Sequence, residues 1–197
     1  MNNKNILTIL LEDYKNTFEI IYKYWNINGG WKSLISSPYT FVSILFLIFT
    51  WHTWTETRWW TQVISVMPNI IGFSIVGFAI FMSFSDIRFI SVIAGNSNHK
   101  KDEQDEISPY IRMSSKFLHF ILMGVLSLMF AILRAGLNFP MPLYMLHIEP
   151  VPDILFYIGN CFGYWMFLYA ICLAAGTGFA LFRISTWYDK YITNTKK

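Results

Sequence analysis

The sequence predicts an all-α, polytopic membrane protein with four transmembrane helices, an N-terminal amphipathic helix and cytoplasmic helix extensions. Three observations predict this fold class. Of the 197 residues, 54% are hydrophobic and 14% are charged, whereas soluble domains carry about 25% charged residues. The apolar residues gather into blocks of about 20 residues, which is the length of helix that crosses a bilayer. Of the segments that connect these blocks, one contains a single arginine and another contains no lysine or arginine.

Residues 1–30 form the first predicted unit, an amphipathic helix at the cytoplasmic face of the membrane. Apolar residues recur at spacings of three and four from Leu7 to Trp25, and charged residues occupy the other sides. This pattern fits a helix that lies flat in the membrane interface. Packing against other helices of the same assembly is the alternative. The Asn-Gly-Gly sequence at 28–30 predicts the end of the helix.

Residues 31–197 form the second predicted unit, a transmembrane domain. In the Ser-Pro pairs at 37–38 and 108–109, a capping serine precedes a proline at the first helical position, a combination that predicts a helix start. A tryptophan-rich segment at 51–60 is typical of the headgroup level of a membrane. The second and last helices are expected to continue beyond the lipid. The four spans are predicted at about 38–57, 62–84, 116–136 and 154–182.

The distribution of lysine and arginine predicts the orientation. Arg58 lies in the first outer loop and Arg134 lies inside a span, while all the others lie in the N-terminal region, the central loop with its flanks, or the C-terminal region. Cytoplasmic segments carry the excess of positive charge in membrane proteins. We therefore expect both termini, the loop at 95–107 and the tail at 187–197 to lie in the cytoplasm. The expected location is the bacterial inner membrane.

Ionisable residues inside spans are costly and often functional. His119 lies near the inner end of the third span, where Asp86 is a candidate partner at similar depth. A structural hydrogen bond and a proton relay are the two interpretations of His119. Arg134 lies near the outer end of the same span. It is expected to extend outward to the interface, or to pair with Glu149 or Asp153.

Small residues predict where helices pack closely or where an oligomer forms, because they let helix backbones approach in lipid. On the last span they share one face about 100° wide, next to Asn160, a candidate for a hydrogen bond between helices. On the second span they thin the helix, which could also line a pore. Packing within the chain and packing between chains both stay open, and a homo-oligomer is expected because four spans bury little surface. The residues are Gly72, Gly77, Gly159, Gly163, Ala170, Ala174 and Gly178.

The central loop at 95–107 is a candidate contact surface for a soluble partner. Solubility alone is the other interpretation of its mixed charges. The candidate contact residues are Lys100, Lys101, Asp102, Glu103, Asp105 and Glu106.

No pattern in the sequence indicates catalysis, a metal or a cofactor. The 4 histidines are scattered over both predicted sides of the membrane without metal-ligand spacing. The sequence has no glycine-rich loop that ends in lysine and binds phosphate. Cys161 and Cys172 are too far apart along one helix to form a disulfide within the chain. We therefore expect a protein that is not an enzyme, binds no cofactor and does not bind nucleic acid directly.

One short motif and the overall layout carry a resemblance. The run PNIIGFSIVGFAI at 68–80 follows a tryptophan-rich outer loop and resembles segments of small multi-span proteins in bacterial antiphage defence operons. The size, the four predicted spans, the amphipathic N-terminus and the charged inner loop resemble the membrane subunit of the Kiwa defence system. The resemblance implies a homo-oligomeric membrane sensor, with a tetramer as the candidate size, and a soluble DNA-binding partner in the cytoplasm. Small membrane accessory proteins of some CRISPR loci have a similar layout.

Two classes of function follow from these patterns. The first is a non-enzymatic membrane sensor or scaffold in bacterial antiphage defence, which oligomerises in the inner membrane and relays to a cytoplasmic partner. The alternative is a pore-forming or holin-like effector that permeabilises the inner membrane. A small transporter is a weaker third class, because the sequence shows no internal repeat and no charged pair in mid-membrane.

Overall fold

All of the regular secondary structure in the described part of the chain is helical. A computed structural model describes residues 6–56, 58–84, 90, 108–137 and 153–195. Within these ranges the prediction of an all-α fold is confirmed. The helices are α1 (Ile6–Ile27), α2 (Gly30–Ile35), α3 (Pro38–Phe49), α4 (Trp51–Glu56), α5 (Trp59–Phe84), α6 (Pro109–Leu137) and α7 (Asp153–Thr195).

Three of these helices, α5, α6 and α7, are long and apolar enough to cross a membrane. Their candidate spanning segments are Trp59–Ile80, Pro109–Leu137 and Ile154–Asn194. These helices support the prediction of a membrane protein with transmembrane helices. At 1.5 Å per residue, the 43 residues of α7 extend for about 64 Å, roughly twice the thickness of the hydrocarbon core.

The first span is predicted at 38–57, and the structure describes residues 38–56 of it as two short helices. The 12 residues of α3 cover about 18 Å, whereas the hydrocarbon core is about 30 Å thick. The interruption falls at Thr50. There, Trp54 Nε1 donates a hydrogen bond of 3.1 Å to the Leu47 carbonyl. In a continuous helix this carbonyl would accept from the Trp51 N–H. The structure thus shows no single helix over this segment, and a fourth crossing stays a prediction.

The predicted helix starts at the two Ser-Pro pairs are confirmed. The Tyr39 N–H donates to Ser37 Oγ over 3.3 Å, and the Ile111 N–H donates to Ser108 Oγ over 3.3 Å. Each serine supplies an acceptor to one of the N–H groups that a helix start leaves unpaired. The third long helix therefore begins at Pro109, several residues before the predicted span.

A tight turn at the Asn-Gly-Gly sequence separates α1 from α2. Gly29 and Gly30 have φ angles of 79° and 61°, which lie in the left-handed region that glycine tolerates best. A Cβ on Gly29 would also lie 2.8 Å from the Cβ of Ser33. The turn therefore needs glycine for both its backbone angles and its space.

The long helix α7 is the centre of the bundle. It packs against α3, α4, α5 and α6, while α5 packs along α6 and α1 reaches α6. Near one end of the bundle the Arg134 guanidinium lies over the Trp60 ring, and we call this the tryptophan end. At the other end, Arg112, Lys116 and Arg183 line one cavity, and we call this the basic end. α5 and α7 run from the tryptophan end to the basic end, and α3 and α6 run the opposite way.

The buried core lies between α5, α6 and α7. Its fully buried side chains include Trp59, Met67, Phe120 and Tyr169. Outside this core the bundle presents many large apolar side chains; Phe73, for example, is 80% exposed. An outer surface of this kind is typical of a protein that contacts a membrane.

We expect Gly163→Ala to destabilise the bundle. A Cβ on Gly163 would lie 2.5 Å from Trp59 Cη2, and this indole is only 1% exposed, so it has no free space into which to move. Such overpacking costs about 1–3 kcal/mol. Thermal unfolding of the purified protein in detergent measures the change.

Gly159→Ala is the matched control, because no atom lies within 4 Å of its added Cβ. Alanine favours a helix over glycine by up to about 1 kcal/mol, so the control is expected to unfold at the same temperature or higher. Equal effects of the two substitutions would contradict the packing of Trp59 on Gly163.

Candidate functional site

His119 lies on α6 and connects that helix to two others. Its Nδ1 is hydrogen-bonded to the Tyr24 hydroxyl of α1, and its Nε2 to the Tyr169 hydroxyl of α7 at 3.0 Å. A neutral imidazole has one N–H and one bare nitrogen, so one tyrosine donates to the ring and the other accepts from it. We call these three side chains the His119 clamp. It joins α1, α6 and α7.

Tyr24 is the member of the clamp that lies outside the three long helices. Burial raises the pKa of its hydroxyl well above the ordinary value for tyrosine, and negative charge on Tyr169 would raise it further. The hydroxyl of Tyr24 therefore keeps its proton at neutral pH and can donate it in a hydrogen bond.

A second polar contact fastens the end of α1 one turn beyond the clamp. Asn28 Nδ2 lies 2.6 Å from Ser115 Oγ on α6 and 3.1 Å from the Tyr24 carbonyl. A cavity of about 110 Å³ borders both contacts, and its lining includes Asn28, His119, Tyr169 and Lys116. This cavity has room for several water molecules beside polar groups that can bond them.

The structure shows two partners of His119 that the sequence did not suggest, Tyr24 and Tyr169. Asp86 lies outside the described residues, so its pairing with His119 stays a prediction. A helical projection could have singled out Tyr24, because it lies roughly 100° from the centre of the apolar stripe of α1. A tyrosine in that position is suited to a contact that needs a hydroxyl.

Four residues of the apolar stripe of α1 are exposed, whereas Trp25 at its end packs against Trp31. Leu11, Tyr14, Phe18 and Ile21 are between 50% and 69% exposed. Only the last turns of α1 reach the bundle, through the side that carries Tyr24. The stripe is thus open to a membrane surface or to another molecule, as both interpretations of the sequence require.

A second polar cluster lies at the tryptophan end and is centred on Asn160 of α7. Its Oδ1 accepts hydrogen bonds from Arg134 Nε of α6 at 2.8 Å and from Trp59 Nε1 of α5 at 3.2 Å. Asn160 is 8% exposed. The sequence indicated Asn160 as a residue that bonds between helices, and the structure shows it joining three of them.

Arg134 bonds inside the bundle, whereas its suggested pairing with Glu149 or Asp153 stays a prediction. Its Cζ lies 4.6 Å from the centroid of the Trp60 ring and 5.1 Å from that of Phe156. Cations are attracted to aromatic faces at such distances. Glu149 lies outside the described residues, as does the side chain of Asp153.

The small residues divide into two groups. Some are covered within the chain: Gly163 by Trp59, while Ala170 is fully buried and Ala174 packs against the core. Others are open, since no atom lies within 4 Å of a Cβ placed on Gly72, Gly77, Gly159 or Gly178. Sequence reasoning missed two close contacts, Gly124 against Met67 and Ile71 and Gly176 against Tyr39.

The predicted partner-contact residues at 100–106 lie outside the described residues. In the described ranges, no three His, Cys, Asp or Glu side chains are close enough together to hold a metal ion. Cys161 and Cys172 are free thiols.

The three long apolar helices indicate the class of this chain, an α-helical membrane protein. No family model, curated protein or solved structure matches it. The two clusters and the cavities beside them are therefore the basis for proposing a function.

We expect Tyr24→Phe to loosen α1 from the bundle, because the substitution removes one of the two hydrogen bonds of His119. The expected loss is about 1 kcal/mol, which corresponds to roughly fivefold faster amide hydrogen exchange in the last turns of α1. Mass spectrometry of peptides from residues 18–28 measures the exchange.

Tyr22→Phe is the control for this measurement, because Tyr22 lies on the same helix and is 69% exposed. It should leave the exchange rates unchanged. If both variants exchange at the wild-type rate, the clamp does not hold α1 in place.

Asn160→Leu is expected to destabilise the bundle by about 2 kcal/mol or more, because it leaves the Trp59 N–H and the Arg134 Nε–H without their acceptor. The control is Asn69→Leu, since Asn69 is exposed and its side chain donates to the Ser65 carbonyl of its own helix. Thermal unfolding in detergent compares the two. A cost no greater than that of the control would show that Asn160 does not join the helices.

Proposed function

We propose that the protein is a non-enzymatic sensor or scaffold in the bacterial inner membrane, with both termini in the cytoplasm, that oligomerises and relays to a soluble cytoplasmic partner. The resemblance to the membrane subunit of the Kiwa system supports a role in antiphage defence. The observation that carries the proposal is the His119 clamp.

The clamp supports a relay because it couples a helix outside the three long spans to the spans themselves. Tyr24 belongs to α1, while His119 and Tyr169 belong to α6 and α7. A shift of α6 against α7 would change both hydrogen bonds of His119, and α1 would move or detach. Coupling between two sites needs an element that has two arrangements, each favoured by a different state of the sites. Here that element is α1, and its two arrangements are docked on the bundle and detached from it.

Two further features favour a scaffold. Since α7 runs to Thr195 and the predicted span ends at residue 182, the last part of α7 is available as a rigid projection on the side that the positive charges predict to be cytoplasmic. The exposed apolar stripe of α1 offers a second surface there. Both surfaces lie at the basic end, where a soluble protein would meet them.

Open small residues support the proposal of a homo-oligomer. Gly72 and Gly77 lie on α5, and Gly159 and Gly178 lie on α7; each has free space around the position of a side chain. Helices of a second copy can approach closely at such positions.

The interior of a single chain argues against a pore through its own bundle. Between the His119 clamp and the Asn160 cluster, the bundle is filled by buried apolar side chains such as Met67 and Phe120. We call this part of the bundle the apolar layer. Ser127 lies in it, and its Oγ is a buried side-chain atom without a hydrogen-bond partner among the described residues. The layer is too apolar and too tightly packed to hold a water path within one chain.

The test is affinity purification of the tagged chain from membranes of cells that also express its neighbouring genes. We expect one soluble neighbour to co-purify, and the double charge reversal Lys100→Glu, Lys101→Glu to reduce its yield several-fold, because both lysines lie in the predicted contact loop. Arg58→Glu is the control, since Arg58 lies at the tryptophan end and should not meet a cytoplasmic protein.

Purification of the chain alone, with all neighbours expressed, would contradict the scaffold. Loss of the membrane potential on expression of the chain by itself, followed with a voltage-sensitive dye, would favour the pore-forming effector instead.

A further inference from the structure

A second cavity, separate from the one beside the His119 clamp, opens at the basic end between α6 and α7. Its volume is about 270 Å³. Three cationic side chains line it: Arg112 and Lys116 from α6, and Arg183 from α7. Among the described residues, no aspartate or glutamate lines it. We call it the basic pocket.

The three cationic side chains repel one another, and each is exposed to solvent. Arg112 and Lys116 are four residues apart on α6, where like charges repel. Lys116 also experiences the positive charges of Arg183 and Arg112 together. The nearest acidic residue along α7 is Asp189, six residues after Arg183, which places it on another side of the helix. A bound anion would remove the repulsion among the three cations.

The rest of the lining is apolar or aromatic. It includes Phe179, Ile184 and Trp187, and Phe179 is 71% exposed. The basic residues fall where the predicted spans 116–136 and 154–182 begin and end, at the boundary between hydrocarbon and water. A tryptophan at this level is typical of the interface. The pocket thus offers cations to a headgroup and an apolar side to acyl chains.

We propose that the basic pocket binds the phosphate group of an anionic phospholipid. Arg112 and Arg183 can each give two parallel N–H donors to phosphate oxygens, and Lys116 adds a point charge between them. Basic pockets between transmembrane helices on the cytoplasmic side are a recurrent means of holding anionic headgroups. Binding of this kind requires neither a protein partner nor an oligomer, so it stands apart from the function proposed above.

The basic pocket adjoins the cavity beside the His119 clamp. Tyr39, Lys116 and Gly176 line both, and Lys116 is one helical turn from His119 on the same face of α6. A headgroup bound by Lys116 therefore lies next to the contact that holds α1.

The test uses the full-length protein in a non-ionic detergent, with bound lipid counted by native mass spectrometry. The probes are short-chain phosphatidylglycerol, the zwitterionic short-chain phosphatidylcholine, and inorganic phosphate as a competitor. We expect phosphatidylglycerol to bind at least tenfold more tightly than phosphatidylcholine. Each cation contributes roughly fivefold to affinity for an anionic lipid, so Arg183→Gln should weaken binding by that factor. The triple variant Arg112→Gln, Lys116→Gln, Arg183→Gln should weaken it on the order of a hundredfold.

Lys190→Gln is the matched control, because Lys190 lies on α7 beyond the pocket and does not line it. The triple variant should unfold at or above the wild-type temperature without lipid, since it relieves like-charge repulsion; if it fails to fold, Arg183→Gln alone decides. Equal binding of the two lipids, or wild-type affinity in the pocket variants, would overturn the proposal. Inorganic phosphate that displaces phosphatidylglycerol at equal concentration would assign the pocket to a free phosphate and overturn the lipid as its source.

Discussion

The side chain of Asn160 is the point at which the three long helices meet, and the arrangement of the bundle depends on it. One carbonyl oxygen accepts from the Trp59 indole of α5 and from the Arg134 guanidinium of α6. Asn160 and Trp59 are buried between the helices, which keeps water from replacing these bonds, although such bonds between helices contribute only about 0.6–2 kcal/mol each. Their main effect is to select one register. With Trp59 held there, its indole lies against Gly163, and the remaining contacts between α5 and α7 follow.

The His119 clamp also joins three helices, at the opposite end of the bundle. One of them, α1, is otherwise little attached. Apart from Tyr24 and Asn28, α1 makes few contacts with the bundle, and its apolar stripe stays open. The stability of its docking is therefore low compared with that of the core, as is usual for elements that move during function. The basic pocket adjoins this contact through Lys116. A ligand in the pocket and the position of α1 can thus influence each other through neighbouring residues of α6.

The sequence was informative wherever a local signal decides the structure. The Ser-Pro pairs predicted the starts of α3 and α6, because a capping serine and a proline act within one turn. It was less informative over 38–57, where composition predicts one continuous span. There the helix is interrupted at Thr50, where the Trp54 indole donates to the Leu47 carbonyl, and hydropathy does not register such a contact. Arg134 and Asn160 were each noticed as polar residues in spans, but their pairing depends on the register between α6 and α7.

What the sequence determined by itself is the helical membrane-protein class and the placement of the long apolar helices, since both follow from how many consecutive residues must avoid water. Only the tertiary structure decided which polar groups meet. It brought Tyr24 to His119 across 95 residues of chain, and it separated small residues that look equivalent on one helix face into covered Gly163 and open Gly159. The physical reason is that the residues on one helix face follow from the local sequence. The residue that each of them meets on another helix depends on how the helices pack.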